Sequence, residues 1–216
     1  MKRKIKRFLG LLLNALIWMT SKVYPYSLSQ RLKGYRNKLY SMWIGHFVGK
    51  IGEHSSIHYP CLLQGGGEKR IAIGDNTCIQ SHSILGCWVK YGKNQTFTPE
   101  IVIGNHCSIG EYNQVTAINK ITIGDGLLTG RYVYIGDNSH GGLSWEEVDL
   151  RPAKRQLKSK GEIIIGKNVW LGDKVTILGG VTIGNNVIVG SNTVVTHNIP
   201  DNSVVTGSQS RIVRSL

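Results

Sequence analysis

The sequence predicts a mainly β protein whose chain forms a parallel β-helix, a coil in which each lap of short strands stacks on the lap before it. An aliphatic residue recurs at every sixth position between residues 165 and 195, and a β-branched residue precedes most of these by two positions. A period of six matches neither a helix face nor the alternation of an ordinary strand. It fits a chain that turns a corner every six residues, so that about 18 residues make one lap around a continuous core. The sixth-position residues are Ile165, Leu171, Ile177, Ile183, Val189 and Val195.

The same spacing recurs less regularly earlier in the chain, accompanied by short Ile-Gly-Asp or Ile-Gly-Asn segments. Glycine and asparagine tolerate positive φ angles, so these segments predict the corners of the coil. The alternative is a β-sandwich with glycine-rich turns, which would show alternation in twos and irregular turn spacing. The five uninterrupted steps of six favour the β-helix. The four segments begin at Ile73, Ile103, Ile123 and Ile183.

Residues 1–50 differ from the rest and predict a basic, amphipathic helical extension. Residues 1–52 hold eleven Lys or Arg and no acid. The apolar run at 8–19 is shorter than the roughly 18 residues that cross a bilayer as a helix, and residues 28–48 place apolar side chains at helical spacing. Two interpretations stay open. Residues 1–20 lie on an anionic membrane surface, or the helices cap the coil or pack on a neighbouring subunit.

The positive charge of the chain lies in this extension. The net charge is +13, whereas the residues after 52 hold fifteen basic and thirteen acidic side chains. A nucleic-acid-binding protein would carry such charge on its folded face, so we expect no nucleic acid partner. The predicted organisation is an extension over 1–50, a β-helix domain over 51–207 with a loop at 141–162, and a tail over 208–216. Residues 86–100 interrupt the period and should bulge from a corner.

Four segments of the repeat match a known pattern. They are Val169-Trp170-Leu171-Gly172, the Gly-Gly-Val-Thr-Ile-Gly of 179–184, Val194-Val195-Thr196 and Ile199-Pro200. They resemble the hexapeptide-repeat acyltransferases, whose fold is a left-handed parallel β-helix, and within them the branch that O-acetylates sugars and surface polysaccharides. The resemblance covers about residues 50–216. It implies a bacterial O-acetyltransferase that uses acetyl-CoA and no metal, transfers the acetyl group directly and forms a homotrimer. The implied location is the cytoplasm, including the inner face of the cytoplasmic membrane.

A histidine stands where the period stops. Residues 137–142 read Asp-Asn-Ser-His-Gly-Gly, and the family has Asp-His-x-His-Gly here, with its last histidine as catalytic base. The resemblance implies that role for His140 and also matches Asp137, whereas Asn138 replaces the family's first histidine. An imidazole is suited to take the proton of an acceptor hydroxyl and to pass it to the leaving thiolate. Asp137 and Glu111 are candidates to orient the ring.

The resemblance also places CoA in the groove between neighbouring coils. Thr196 begins the segment Thr-His-Asn, where the family often has Thr-Lys-Asp. The family's lysine lies near the nucleotide phosphate, and His197 stands in its place here, so this phosphate contact is not matched. Arg211 replaces a lysine and would bind phosphate through two N–H groups, and Arg214 matches the pattern. The residues implied to bind CoA are Trp170, Gly172, Gly190, Ser191, Thr196, Arg211 and Arg214.

Other functions are known on coils of this kind. A serine-type O-acetyltransferase also has an N-terminal helical region, but a larger and more acidic one. A zinc hydratase needs three histidines, two of them five residues apart, and His140 has none at 135 or 145. A non-catalytic assembly module would bind no CoA. The acceptor is expected to be a sugar or a lipid-linked glycan, and the sequence specifies neither the hydroxyl nor an acyl group beyond the acetyl default.

Overall fold

The chain forms two compact units, Met1–Leu39 and Tyr40–Leu216, in a computed structural model. The boundary between these two units falls inside a helix. The structure describes residues 2–141, 147, 149–207 and the backbone of 211–215.

The first unit is helical. Helix α1 spans Lys2–Val23, and helix α2 spans Tyr26–Gly45 and continues into the second unit. The side chains of α1 are all exposed, including a run of large apolar residues from Phe8 to Met19. Of the helices described, neither has the length and apolarity needed to span a membrane.

The second unit is a coil of three sheets. The first sheet contains Lys50–Ile51, Ile71–Ile73, Glu100–Ile103, Lys120–Ile123, Ile163–Ile165 and Thr182–Ile183. The second contains Ser56–Ile57, Cys78–Ile79, Ser108–Ile109, Leu128–Thr129, Trp170–Leu171, Ile188–Val189, Ser203–Thr206 and Arg211–Ser215. The third contains Cys61–Gln64, Ser83–Cys87, Gln114–Ala117, Tyr134–Gly136, Thr176–Leu178 and Val194–Val195.

Consecutive strands of the coil belong to different sheets, and each strand pairs in parallel with the strand one lap away. Ile165, for example, lies between Ile123 of the preceding lap and Ile183 of the following lap. The last strand, Arg211–Ser215, instead pairs antiparallel with Ser203–Thr206. The predicted fold class, a left-handed parallel β-helix with an N-terminal helical extension, is confirmed.

The six-residue period marks the side chains that fill the coil. All six sixth-position residues from Ile165 to Val195 are at most 1% exposed. Burying an aliphatic side chain of this size contributes about 1.5–3 kcal/mol. Because these residues touch their counterparts one lap away, each lap completes the core of its neighbour.

The corners contain the predicted Ile-Gly-Asp and Ile-Gly-Asn segments, and the glycine of each segment packs closely against the next lap. The positive φ angles fall two residues after it, at Asn76 (φ 53°) and Asn186 (φ 56°). Gly74 is required by close approach instead, since a Cβ there would lie 2.5 Å from Oδ1 of Asn105 in the next lap. The prediction that these segments form corners is therefore confirmed, and the positive φ belongs to the residue that follows each segment.

Two insertions leave the coil at the same edge, between the third sheet and the first. In the first insertion Lys90–Tyr91 pairs antiparallel with Gln95–Thr96, which confirms the predicted bulge. In the second insertion Asn138–His140 pairs antiparallel with Leu157–Ser159. The lap between them turns this corner directly, through residues 118 and 119. Single turns of 3₁₀ helix lie at Glu68–Arg70 and Pro152–Lys154.

Candidate functional site

His140 lies on the second insertion, immediately beyond the third sheet. Its strand follows Tyr134–Gly136, and His140 pairs with Leu157 across the antiparallel hairpin. A hydrogen-bonded strand holds the histidine beside the rigid coil, and functional side chains are commonly presented in this way. The part of the predicted loop at 142–146 and at 148 lies outside the described residues.

Asp137 fixes the point where this insertion begins. Its side chain is only 1% exposed. One carboxylate oxygen accepts the backbone N–H of Ile118 at 2.9 Å, and the other accepts that of Asn119 at 2.8 Å. Burial raises the pKa of the carboxyl, although these N–H donors act in the opposite direction. The carboxylate therefore anchors the insertion to the corner of the preceding lap, and no described hydrogen bond joins it to His140.

Tyr91 of the first insertion contacts the histidine instead. Its hydroxyl oxygen lies 3.3 Å from Nδ1 of His140 and also 3.3 Å from the carbonyl oxygen of Ala153. The two rings meet edge to face, with centroids 5.4 Å apart. Glu111, the other predicted orienter, forms an ion pair with Arg131 at 3.3 Å. The sequence indicated the insertion but gave no signal that Tyr91 would reach the histidine.

A polar cavity of about 280 Å³ lies beside His140. Amide, hydroxyl and aromatic side chains from four successive laps line it. Burial raises the pKa of Tyr134, so its hydroxyl stays protonated near neutral pH. No Asp, Glu, Lys or Arg is among the described side chains that line the cavity. The lining includes Gln64, Trp88, Gln114, Thr116, Tyr134 and Asn138.

The residues predicted to contact CoA lie in two separate regions of one coil. One region is the second sheet and the corner after it, and the other is the edge that follows the third sheet. Trp170 is 50% exposed on the outer face of the second sheet, next to Ile188 of the following lap. Gly172 follows on this sheet, and a Cβ there would lie 2.6 Å from Oγ of Ser191. Gly190 occupies the same corner one lap later, since Leu171 pairs with Val189.

Thr196 lies elsewhere, directly after the last strand of the third sheet. It is exposed, and its hydroxyl lies 3.5 Å from Nδ1 of His197. This position is on the same edge of the coil as His140, because Gly136 pairs with Leu178 and Ile177 with Val195. The side chains of Arg211 and Arg214 lie outside the described residues.

Among the described residues, no group of three or more His, Cys, Asp or Glu side chains is arranged to hold a metal ion. The described surroundings of His140 contain hydroxyl, amide and aromatic groups. This arrangement is suited to transferring a proton to or from a bound neutral molecule.

Comparison with protein families gives one match over residues 162–197, to the family described as bacterial transferase hexapeptide (six repeats). The chain is 31% identical to a putative lipopolysaccharide biosynthesis O-acetyl transferase, WbbJ of Escherichia coli, over 73% of this chain and 77% of that protein. It is 34% identical to nodulation protein L of Rhizobium meliloti, over 79% and 82%.

Solved structures give the same result. A hexapeptide-repeat-containing acetyltransferase of Vibrio cholerae, VCA0836, is 27% identical with a TM-score of 0.54, over 88% of this chain and 89% of that one. A structure of that protein also exists in complex with acetyl coenzyme A. The N-acyltransferase AntD of Bacillus cereus has a TM-score of 0.64 over 81% and 86%, at 18% identity, and its likeness concerns the fold alone.

Proposed function

The chain belongs to the bacterial hexapeptide-repeat acyltransferases and is an acetyltransferase; from this premise we propose that it transfers the acetyl group of acetyl-CoA to a hydroxyl of a sugar or glycan in surface polysaccharide synthesis. The name of the E. coli relative, an O-acetyl transferase of lipopolysaccharide biosynthesis, supports this acceptor class.

The cavity beside His140 is the observation that carries the proposal. Sugars are recognised through hydrogen bonds to their hydroxyl groups and through contact of the ring faces with aromatic side chains. Gln64, Gln114 and Thr116 supply hydrogen-bonding groups there, while Trp88 and Tyr91 supply rings. A free amino acid such as serine would need charged partners for its ammonium and carboxylate groups, and the described lining offers none. The cavity thus favours a neutral sugar over a serine-type substrate.

In the proposed reaction His140 acts as general base. It takes the proton of the acceptor hydroxyl as the oxygen attacks the thioester carbon, so that a C–O bond forms and the C–S bond breaks. The imidazolium then returns the proton to the departing CoA thiolate. Asp137 holds the start of the insertion in place through Ile118 and Asn119, which makes it a positioning residue in this proposal.

The proposed CoA contacts fit a homotrimer. Acetyl-CoA supplies the acetyl group, and Trp170 is a half-exposed ring against which an extended pantetheine chain can pack. Trp170, Gly172, Gly190 and Ser191 lie along the second sheet, whereas His140 and Thr196 lie at the far edge of the third. A site formed between two coils would bring the second sheet of one protomer to the third-sheet edge of another. Arg211 and Arg214 are proposed as the phosphate contacts.

We expect the purified protein to release CoA from acetyl-CoA only when a sugar acceptor is added. Thioester consumption is measured with free sugars, nucleotide sugars, lipid-linked sugars and serine, each at matched concentration. Release of CoA with a sugar class, together with an acetylated sugar in the mass spectrum, supports the proposal. Turnover with serine alone contradicts the sugar assignment. Absence of CoA binding in a titration contradicts acetyl-CoA as the donor and favours the alternative of a non-catalytic assembly module.

We also propose that the first 20 residues bind an anionic membrane surface, which would place the enzyme at the inner face of the cytoplasmic membrane. Helix α1 carries Lys2, Arg3, Lys4, Lys6 and Arg7, and its apolar side chains are exposed. Each basic residue near such a surface contributes roughly 1 kcal/mol. Full-length protein should sediment with phosphatidylglycerol vesicles at low salt, and a variant lacking residues 1–20 should remain in the supernatant.

Two controls accompany this sedimentation experiment. Neutral phosphatidylcholine vesicles should retain much less protein, and high salt should weaken binding to anionic vesicles. A variant with the five basic residues changed to glutamine keeps the apolar side of the helix and separates charge from apolar contact. Equal partition of the full-length and shortened proteins would show that the extension does not bind membrane.

A further inference from the structure

We propose that Tyr91 is a positioning residue that fixes the tautomer of His140, so that Nδ1 carries the hydrogen and Nε2 is free to accept a proton. This inference rests on the proposed function, because it concerns the base of the proposed reaction. It also has consequences that can be measured without any turnover.

The hydrogen bonds around Tyr91 give the direction. A phenol has a single hydrogen to donate and lone pairs that accept. The carbonyl oxygen of Ala153 can only accept, so the hydroxyl hydrogen of Tyr91 is directed to it at 3.3 Å. The contact between the Tyr91 oxygen and Nδ1, also 3.3 Å, must then be donated by the histidine. A neutral imidazole that donates through Nδ1 has its lone pair on Nε2.

The position of Tyr91 is itself held by a second contact between the two insertions. The side-chain amide of Gln95 donates to the carbonyl oxygen of Leu157 at 3.0 Å and accepts the N–H of Leu157 at 2.8 Å. Leu157 is the residue directly opposite His140 in the second hairpin. The first hairpin is therefore bonded to the strand that carries the partner of His140, and Tyr91 is fixed relative to the imidazole.

An uncharged orienting group also suits the chemistry. General bases are commonly held by a carboxylate or a backbone carbonyl that accepts from the second ring nitrogen. The carboxylate of Asp137 is bonded to two backbone N–H groups, and that of Glu111 to Arg131. A phenol in their place selects the same tautomer without a carboxylate in direct contact with the imidazole.

The test is the ¹⁵N spectrum of the histidine rings in protein labelled at histidine, recorded at a pH where His140 is neutral. The His140 signals are identified by their loss in His140→Asn. We expect wild-type Nδ1 to show the shift of a protonated nitrogen and Nε2 that of an unprotonated one. In Tyr91→Phe, which keeps the ring contact but loses the acceptor, the opposite tautomer should gain population.

Kinetics provide the second readout. Tyr91→Phe should lower kcat by about 10- to 100-fold, a part of the 10²–10⁴ that a general base contributes, while the KM for acetyl-CoA stays within about twofold of wild type. Tyr132→Phe is the matched control. Tyr132 is an exposed tyrosine that precedes the strand Tyr134–Gly136, whereas His140 follows that strand. That variant should change neither the spectrum nor kcat.

A wild-type His140 with its hydrogen on Nε2 would overturn the inference, whether or not Tyr91→Phe folds. So would an unchanged tautomer in a folded Tyr91→Phe. If the wild type transfers acetyl to no acceptor while the spectra behave as expected, the proposed function fails and the assignment of Tyr91 stands.

Discussion

Replacing His140 with asparagine is expected to lower kcat for acetyl transfer by about 10²–10⁴-fold, the range that a positioned general base contributes. An alcohol is a poor nucleophile near neutral pH, and asparagine cannot take up its proton. His140 is exposed, on the edge of a hairpin, so the substitution should leave folding intact. The rate of CoA release is measured at saturating acetyl-CoA and acceptor, and the KM for acetyl-CoA should change little.

His106→Asn is the matched control for this substitution. His106 is an exposed corner residue with a φ of 55°, and asparagine occupies the equivalent corner position at Asn76 and Asn186. The same chemical change there should leave kcat unaltered. If His140→Asn retained the wild-type rate, His140 could not be the base, and the cavity would need another catalytic group.

Replacing Asp137 with alanine is expected to lower the free energy of unfolding by roughly 2–4 kcal/mol. The N–H groups of Ile118 and Asn119 would lose their acceptor in a site from which water is excluded. Each unsatisfied donor costs about 1–3 kcal/mol, and relief from burying the carboxylate offsets part of this. Urea unfolding at fixed protein concentration measures the change.

Asp125→Ala serves as the comparison. Like Asp137, Asp125 accepts a backbone N–H from the preceding lap, that of Asn105 at 2.8 Å. Its side chain, however, is 40% exposed. Water can replace that acceptor, so the loss should stay below about 1 kcal/mol. Equal losses for the two aspartates would contradict a special anchoring role for Asp137.

The same carboxyl predicts a dependence of stability on pH. Burial raises the pKa of Asp137 in the folded chain above its value in the unfolded chain. At a pH between the unfolded and folded pKa values of this carboxyl, the folded state binds more protons than the unfolded state. The contribution of Asp137 to the free energy of unfolding therefore falls as the pH rises through this range. The advantage of wild type over Asp137→Asn should therefore be largest at the acidic end of this range. An advantage that grows with pH would contradict the raised pKa.

The coil was predictable because its signal is local and repeated. Residues 165–195 carry an uninterrupted period, and every sixth-position side chain in it is buried as expected. His140 is a candidate because it belongs to a recognisable pattern at the point where the period stops, and its role as base stays a prediction.

The partners of the site residues were harder to predict, because they lie in other laps. Asp137 bonds the corner at Ile118 and Asn119, which is reached only once the two laps are stacked in the correct register. Tyr91 meets His140 only because two insertions of different length leave the same edge of the coil. No local pattern in the sequence predicts this contact between Tyr91 and His140.

The placement of both insertions at one edge also bears on how such an enzyme can diversify. The laps hold together through inward aliphatic side chains, whereas the two antiparallel hairpins supply Tyr91, His140 and much of the wall of the cavity beside His140. Exchanging the tip of one hairpin would alter the shape of that wall and leave the stacking of the laps untouched. We therefore expect a chimaera that exchanges a hairpin tip to keep the free energy of unfolding of the coil while its acceptor preference changes.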